Sequence, residues 1–599
     1  MKPASVNELR AAIQKELDEI GRGSVGVALV TRDEITWAAG IGLADPETSR
    51  EADENTYWRL GSITKSFVGL AVLVLEQRGR LRLTDEVARL APNIEIWNRW
   101  NDEAPVRLEH LLEHTAGLDD LQYKDYLSND PTPLSLAQGL AHIERSLYCR
   151  WPPGLHFSYS NAGPSVAAYV VQTIDGRLFE QFLADEILAP LRMQGASLVL
   201  TDQLKGQLAT GYGVDGEPVP YRHLVTRPAG ALSATPMQMA NFVRMLLGRG
   251  QFEGRRLVSP ESIERMERSE TTVSSAFLPE YGYGLGNYST SVDGIVFRGH
   301  DGGMPGWRAW YAYSADIGLG YCVMFSVSNN RAATRINSLV AEYLVRGVGR
   351  PDASTIMAMP ADIEEWTGYY RPITPRSEAR RYAERLAGVV RIRHSDELLV
   401  IQRARQRIEF HPSSSRTFRR KLQPMATLAL VEGFDGNKYI QGETGNLRKV
   451  AGTVVWLERV LAVASGSLLL SSPLWAAVWM PLKLGGRLKR RPVLVRAWPL
   501  LSVMALVMAV TAVGASTEWG SFDRLVDQLG RPTPVAVSFV ILSWIFVLLA
   551  LHGLLVSVRS DPLRVGRLAR LHSIAVCSSC SVVAAYLLYF RAIGFPSWR

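Results

Sequence analysis

Cysteine is scarce in this 599-residue chain, with four in all. Cys149 and Cys322 stand alone, which argues against a disulfide scaffold. Cys577-Ser-Ser-Cys580 has the spacing of a metal or redox pair, but it lies in an apolar run with no second ligand pair. Nor is an apolar leader expected in the opening residues. Residues 5–21 (SVNELRAAIQKELDEIG) are interrupted by Glu8, Arg10, Lys15, Glu16, Asp18 and Glu19. They read as an amphipathic helix with Leu9, Ile13 and Leu17 on one face, not as a signal peptide. A general excess of positive charge is absent too. The net charge is +8, but residues 451–599 hold 15 Lys and Arg against 5 Asp and Glu, so the excess belongs to that segment alone. This gives no case for nucleic acid as a partner.

Long apolar runs, by contrast, are plentiful near the C-terminus. Four are long enough to cross a bilayer, roughly 460–482, 497–515, 535–558 and 571–590. Trp456, Trp498, Trp519 and Trp598 flank them, as interfacial aromatics do. The chain is too long for one domain, and its character changes twice. We expect three regions: 1–350, 351–450 and 451–599. The first has strands and a helix at each end with helices between, which implies one α/β sheet built from both ends around a helical insertion. The second alternates short strands and turns and reads as a small β-barrel or sandwich. The third is a membrane domain of about four helices, so a lipid bilayer is an expected partner.

The first region is organised around residues 56–80, TYWRLGSITKSFVGLAVLVLEQRGR. Phe67, Leu70, Ala71, Val74 and Leu75 recur at helical spacing, and Gly79 stands where a C-cap is expected. Ser62 and Lys65 are three apart, hence neighbours on one helix face. A serine hydroxyl needs a base before it is a useful nucleophile, and a lysine whose charge is disfavoured by burial can serve. Taken alone, Ser-x-x-Lys fits a capping serine beside a surface lysine equally well. His110 and His114 are spaced as a helical metal pair, but no third ligand accompanies them, so a structural role is expected and no metal or cofactor is.

Two further motifs lie downstream: Tyr159-Ser-Asn161, and His300-Asp301-Gly302-Gly303. With Ser62-x-x-Lys65, and with the LLEHTAGL and PAGALSAT segments, the chain resembles serine β-lactamases and penicillin-binding proteins. The likeness is to their class C-like esterase and peptidase branch, over about residues 8–348. The strand-rich tail and apolar helices resemble a membrane-anchored subgroup of these hydrolases. The resemblance implies a β-lactamase-like fold and an acyl-Ser62 intermediate. It implies that Lys65 and Tyr159 share the base work, that Asn161 donates to a substrate carbonyl, and that the N–H groups of Ser62 and Gly303 form an oxyanion hole. His300, Asp301 and Gly302 would line the substrate strand.

Two positions depart from that pattern. His300 stands where β-lactamases carry Lys, and Asp301 where Thr or Ser is usual. A carboxylate at 301 repels a substrate carboxylate. The expected activity is therefore that of a peptidase or esterase on a small-molecule or peptide amide or ester, with D-amino-acid substrates in view. A β-lactamase or D-alanyl-D-alanine carboxypeptidase is the alternative, and a non-turnover β-lactam sensor a second. The sensor needs an output domain that the loops 483–496 and 559–570 are too short to hold.

Sidedness rests on those loops. Lys483, Arg487, Lys489, Arg490, Arg491 and Arg496 follow the first run, and Arg559, Arg564, Arg567 and Arg570 follow the third. The intervening loop is mixed, with Glu518, Asp523, Arg524, Asp527 and Arg531. Short basic loops stay in the cytoplasm. The catalytic domain is thus expected on the periplasmic side of a bacterial cytoplasmic membrane, although residues 5–21 offer no export signal.

Overall fold

The computed structural model describes residues 3–128, 130, 132–349, 356–433, 435–488, 493–516 and 522–598. Lys489, Arg490, Arg491, Glu518 and Trp519 lie outside the described residues. Contacts group Met1–Leu121, Asp125–Thr367 and Ile392–Arg448 into one compact unit, and Gln122–Lys124, Gly368–Arg391 and Lys449–Arg599 into a second.

The first unit opens with helix α1 (Val6–Ile20), whose Leu9, Ile13 and Leu17 are buried as the periodicity requires. Strands β1 (Ser24–Thr31), β2 (Ile35–Asp45) and β3 (Arg50–Glu51) follow. Helices α2 (Thr64–Gln77), α3 (Leu108–Leu112), α4 (Ala162–Asp175) and α5 (Pro236–Leu247) fill the middle. The chain then returns to the sheet as β4 (Tyr288–Val292), β5 (Ile295–Met304), β6 (Trp307–Ser314) and β7 (Leu319–Phe325), before helix α6 (Asn330–Leu344). The seven strands run in the order β3-β2-β1-β7-β6-β5-β4. The two ends of the chain meet where β1 pairs antiparallel with β7, Val27 opposite Val323. One face packs on α1 and α6 through Phe297, Val323, Ile336 and Val340; the other packs on the helical middle through Ala28, Phe67 and Phe242. Helix α2 is apolar almost all round and buried from Thr64 to Leu75, so it runs through the core instead of along the surface.

The strand-rich region is a barrel, not a sandwich. Strands β8 (Gly368–Pro372), β9 (Val390–His394), β10 (Leu399–Arg403), β11 (Gln406–Pro412), β12 (Thr417–Arg419), β13 (Leu428–Glu432), β14 (Lys438–Gly442) and β15 (Leu447–Val450) close on themselves. Alternating inward residues such as Leu428, Leu430 and Ile440 fill it.

The second unit carries four helices long and apolar enough to cross a membrane: α7 (Gly452–Leu484), α8 (Leu494–Ser516), α9 (Pro534–Arg559) and α10 (Arg567–Tyr589). Their shared core contains Phe546, Ala550, Val576 and Cys580, while Leu470, Leu474, Leu548 and Val582 face outward. Cys577 and Cys580 are both buried in that packing. Arg496 is not a loop charge. It lies inside α8, almost fully buried, and donates to the Val565 carbonyl.

Candidate active site

Ser62 occupies a 3-10 turn, Gly61–Ile63, that feeds directly into α2. The turn requires Gly61, whose φ is +55° and where a Cβ would stand 2.7 Å from the Gly303 nitrogen. The turn is clamped from both sides. Thr64 Oγ1 donates to the Gly61 carbonyl at 2.7 Å and accepts from Leu232 N at 3.0 Å. On the other side lies β5. A Cβ on Gly302 would fall 1.8 Å from the Leu60 oxygen and 3.0 Å from the Ser62 nitrogen. Only glycine lets the strand come this close, and that approach brings Gly303 beside Ser62.

Lys65 is 1% exposed, whereas Ser62 is half-buried. The Lys65 ammonium donates to Ser62 Oγ at 3.0 Å, to Asn161 Oδ1 at 2.7 Å and to the Ala229 carbonyl. It also lies 5.0 Å from the centre of the Tyr159 ring. Three acceptors and one ring face therefore surround a charge withdrawn from water. Asn161 is itself oriented by Asp120, whose Oδ1 accepts from the Asn161 backbone and side-chain nitrogens, each at 2.9 Å. One amide proton of Asn161 is thereby committed within the protein.

Tyr159 sits in an aromatic cluster, its ring 4.2 Å from His114, 6.0 Å from Tyr283 and 6.5 Å from His300. His114 is not on a helix. Helix α3 ends at Leu112 and His114 adopts φ +58°, so the pair with His110 shares no helical face. Instead His110 Nδ1 caps the helix by accepting from Arg107 N, and His114 Nδ1 accepts from Ser160 N. Among the described residues, no three His, Cys, Asp or Glu side chains cluster as metal ligands. Two ion pairs fix the loops underneath. Arg150 reaches Asp119 at 3.3 Å, and Arg265 reaches the fully buried Glu113 at 2.7 Å. The barrel also touches this loop: Gln441 bonds His156 at 3.0 Å and Asn446 donates to the Phe157 carbonyl at 2.8 Å.

His300 is buried, with Nδ1 against the Asp301 carbonyl and Nε2 2.7 Å from the Tyr283 hydroxyl. A carbonyl can only accept, so Nδ1 carries the proton and Nε2 accepts from the phenol. Burial pushes the imidazole down to about 4, and it is neutral at pH 7. Asp301 points to the opposite face of the strand, where Tyr288 OH donates to it at 2.7 Å. Strand β4 pairs with β5 only as far as Gly299, so residues 300–303 present an open edge beside Ser62.

His110 and His156 are likewise pushed down to about 4 by burial. Unfolded, each titrates near 6.5, so between pH 6.5 and 4 the unfolded chain binds more protons. Stability therefore falls as pH falls through that window, by up to about 1.4 kcal/mol per pH unit for each histidine. Thermal unfolding midpoints measured from pH 4.5 to 7 are expected to rise with pH, and His300→Gln to remove one proton's share of the slope. An unchanged slope would mean that His300 is charged in the fold.

The structure thus brings Ser62, Lys65, Tyr159, Asn161, His300, Gly302 and Gly303 to one place, with Asp301 on the adjoining strand edge. It adds Asp120, His114, Tyr283 and the Ala229 carbonyl, none of which the motifs single out. A sequence model of the Beta-lactamase family matches residues 9–345. The chain belongs to the beta-lactamase family. Its fold is accordingly the β-lactamase-like one, with the barrel and apolar helices added.

Among curated relatives of the family, it is similar to Protein flp of Staphylococcus aureus, 26% identical over 240 residues, or 39% of this chain and 45% of that one. It is similar to a Beta-lactamase of Yersinia enterocolitica, 27% identical over 204 residues, or 34% of this chain and 50% of that one. The chain thus spans about half the length of these relatives. Among solved structures, the octameric penicillin-binding protein homologue from Pyrococcus abyssi aligns at TM-score 0.48 and 19% identity, covering 74% of this chain and all of that one. The Beta-Lactamase/D-Alanine Carboxypeptidase from Pseudomonas syringae aligns at TM-score 0.46 and 16% identity, covering 57% and 99%.

Proposed function

We propose that this family member is a membrane-anchored serine hydrolase that cleaves an amide or ester through an acyl-Ser62 intermediate. The observation that carries this is the Lys65 ammonium, buried and bonded at once to Ser62 Oγ and Asn161 under the Tyr159 ring. The Lys65 ammonium favours Tyr159 as a phenolate, and the Ser62 hydroxyl passes its proton to that oxygen as Oγ bonds to the substrate carbonyl carbon. The oxyanion is held by the N–H groups of Ser62 and Gly303. The carbonyl re-forms, and the alkoxide or amine departs with the proton. Water then attacks the acyl-enzyme by the reverse proton path, which releases the acid and restores Ser62.

Substrate choice follows from β5. A penicillin or a terminal D-alanine carries its carboxylate on the leaving side of the scissile bond, along this strand. Here the strand offers a neutral His300 in place of a fixed cation, with the Asp301 carboxylate behind it on the other face of the strand. Neutral amides and esters, or substrates with a free amine, suit it better. We expect kcat/KM for a short-chain ester or a D-amino-acid amide to exceed that for a chromogenic cephalosporin by at least about tenfold, since one missing favourable charge contact is worth about 1–2 kcal/mol. His300→Lys with Asp301→Thr should narrow the gap. Equal turnover of penicillin by the unaltered chain would sink the assignment.

We further propose that the catalytic domain lies outside a bacterial cytoplasmic membrane. The described basic residues Lys483, Arg487, Arg559, Arg564 and Arg567 lie at the α7–α8 and α9–α10 connections and support this, with Arg496 removed from the count. Protease added to intact spheroplasts should cleave the catalytic domain and spare reporters inserted in those connections. The reverse pattern would invert the topology.

A further inference from the structure

Three residues before Ser62, Arg59 sits in a two-residue ladder opposite Ser233. It is 2% exposed. Among the described residues no carboxylate pairs with it. Among the described residues, the three other buried arginines, Arg227, Arg419 and Arg496, each donate to a carboxylate or a carbonyl. Arg59 does neither. Its Nε and Nη2 are both sealed from solvent and lack any acceptor. Those two nitrogens form the side-on fork of the guanidinium, the edge that takes a carboxylate through two parallel hydrogen bonds.

The faces of the same guanidinium are filled. The Tyr221 ring lies 4.2 Å from its central carbon and the Trp307 ring 5.5 Å. Both rings bring further unmatched groups, because Tyr221 OH and Trp307 Nε1 are buried without partners. Donors and hydroxyls collect here, and an isolated buried cation is costly. Burial lowers Arg59 to about 10, and the nearby Arg222 charge adds to that effect. Tyr221 follows directly on a surface segment in which Glu217, Pro218 and Pro220 are exposed. All three residues adjoin the candidate site. Arg59 precedes the nucleophile turn, Trp307 starts the strand after Gly303, and the Tyr221 segment leads to the Ala229 carbonyl that holds Lys65.

We propose that Arg59, Tyr221 and Trp307 form a binding site for a compact carboxylate, taken side-on by the Arg59 fork. The carboxylate is either a free small anion or the acyl-end carboxylate of a substrate. It is distinct from the leaving-side carboxylate that Asp301 opposes. The free-anion form stands without the hydrolase reading, and the substrate form rests on it.

The test uses the full chain in detergent, with ionic strength held by a bulky sulfonate buffer. Sodium acetate is titrated while unfolding is followed by tryptophan fluorescence. Acetate should raise the midpoint saturably by about 2 °C or more, and uncharged acetamide should not. Chloride, which cannot span the fork, should need roughly tenfold higher concentration. Arg59→Met should abolish the acetate response. If that variant does not fold, Tyr221→Phe and Trp307→Phe keep the guanidinium and an aromatic ring at each position while removing Tyr221 OH or Trp307 Nε1, and should weaken the response several-fold. The source is read from a monosuccinyl and a butyryl ester. A tenfold rise in their KM ratio on Arg59→Met assigns the site to substrate; an acetate response with an unmoved ratio assigns it to a free anion. No saturable acetate response together with an unmoved KM ratio overturns the proposal, and so does a response that survives in Arg59→Met.

Discussion

Ser62→Ala is expected to lose covalent labelling entirely and to lower kcat by about 10⁴-fold or more, the scale on which a nucleophile's removal is felt in serine hydrolases. Intact-mass analysis after a fluorophosphonate or a slow ester should show one adduct on the unaltered chain and none on the variant. The fold should survive. Ser62 is half-buried in a turn whose own hydrogen bonds come from Gly61, Thr64 and Leu232, not from the Ser62 hydroxyl. The variant therefore separates chemistry from stability, and its thermal midpoint should match the parent within a few degrees. An adduct that persists in Ser62→Ala would move the nucleophile elsewhere.

Lys65→Met should cost about 10³-fold in kcat while changing stability little. The kinetic part follows from its ammonium being bonded to the Ser62 oxygen beside the Tyr159 ring; a positioned acid–base pair is worth about 10²–10⁴-fold. The stability part is a competition. Removing a buried charge relieves a desolvation penalty of several kcal/mol. It also strips the Asn161 Oδ1 and Ala229 carbonyl of a donor, at about 1–3 kcal/mol each. The two nearly cancel. A midpoint that falls by more than about 10 °C would make Lys65 a structural residue first, and a kcat within tenfold of the parent would remove it from the chemistry.

Some of this was legible from spacing and some only from likeness. The adjacency of Ser62 and Lys65 was readable because residues three apart on a helical turn are neighbours in any fold, but their role came from the family pattern. Tyr159 and His300 carry no such local signal. They meet Ser62 through a sheet closed between residues 25 and 325, and only the family pattern tied them to it. Asp120 was invisible for a related reason: it bonds Asn161 across 41 residues. The histidine spacing in LLEHTAGL reads as one helix, but the helix stops before His114 and a left-handed residue turns its ring onto Tyr159. That the appended region alternates short strands and turns was readable. Closure was not, because whether the first and last strands pair is a long-range matter that alternation does not encode.

The open edge of β5 between His300 and Gly303 also bears on how this protein lives among copies of itself. An unpaired strand edge is a template for any extended chain, including a neighbour's. This one is kept to four residues, two of them glycine, and carries the Asp301 charge held in place by Tyr288. Such a stretch is too short and too charged to seed an intermolecular sheet. Under the substrate reading proposed above, the carboxylate that narrows the range of substrates doubles as a guard against aggregation, and exchanging it for threonine is expected to widen the one and weaken the other.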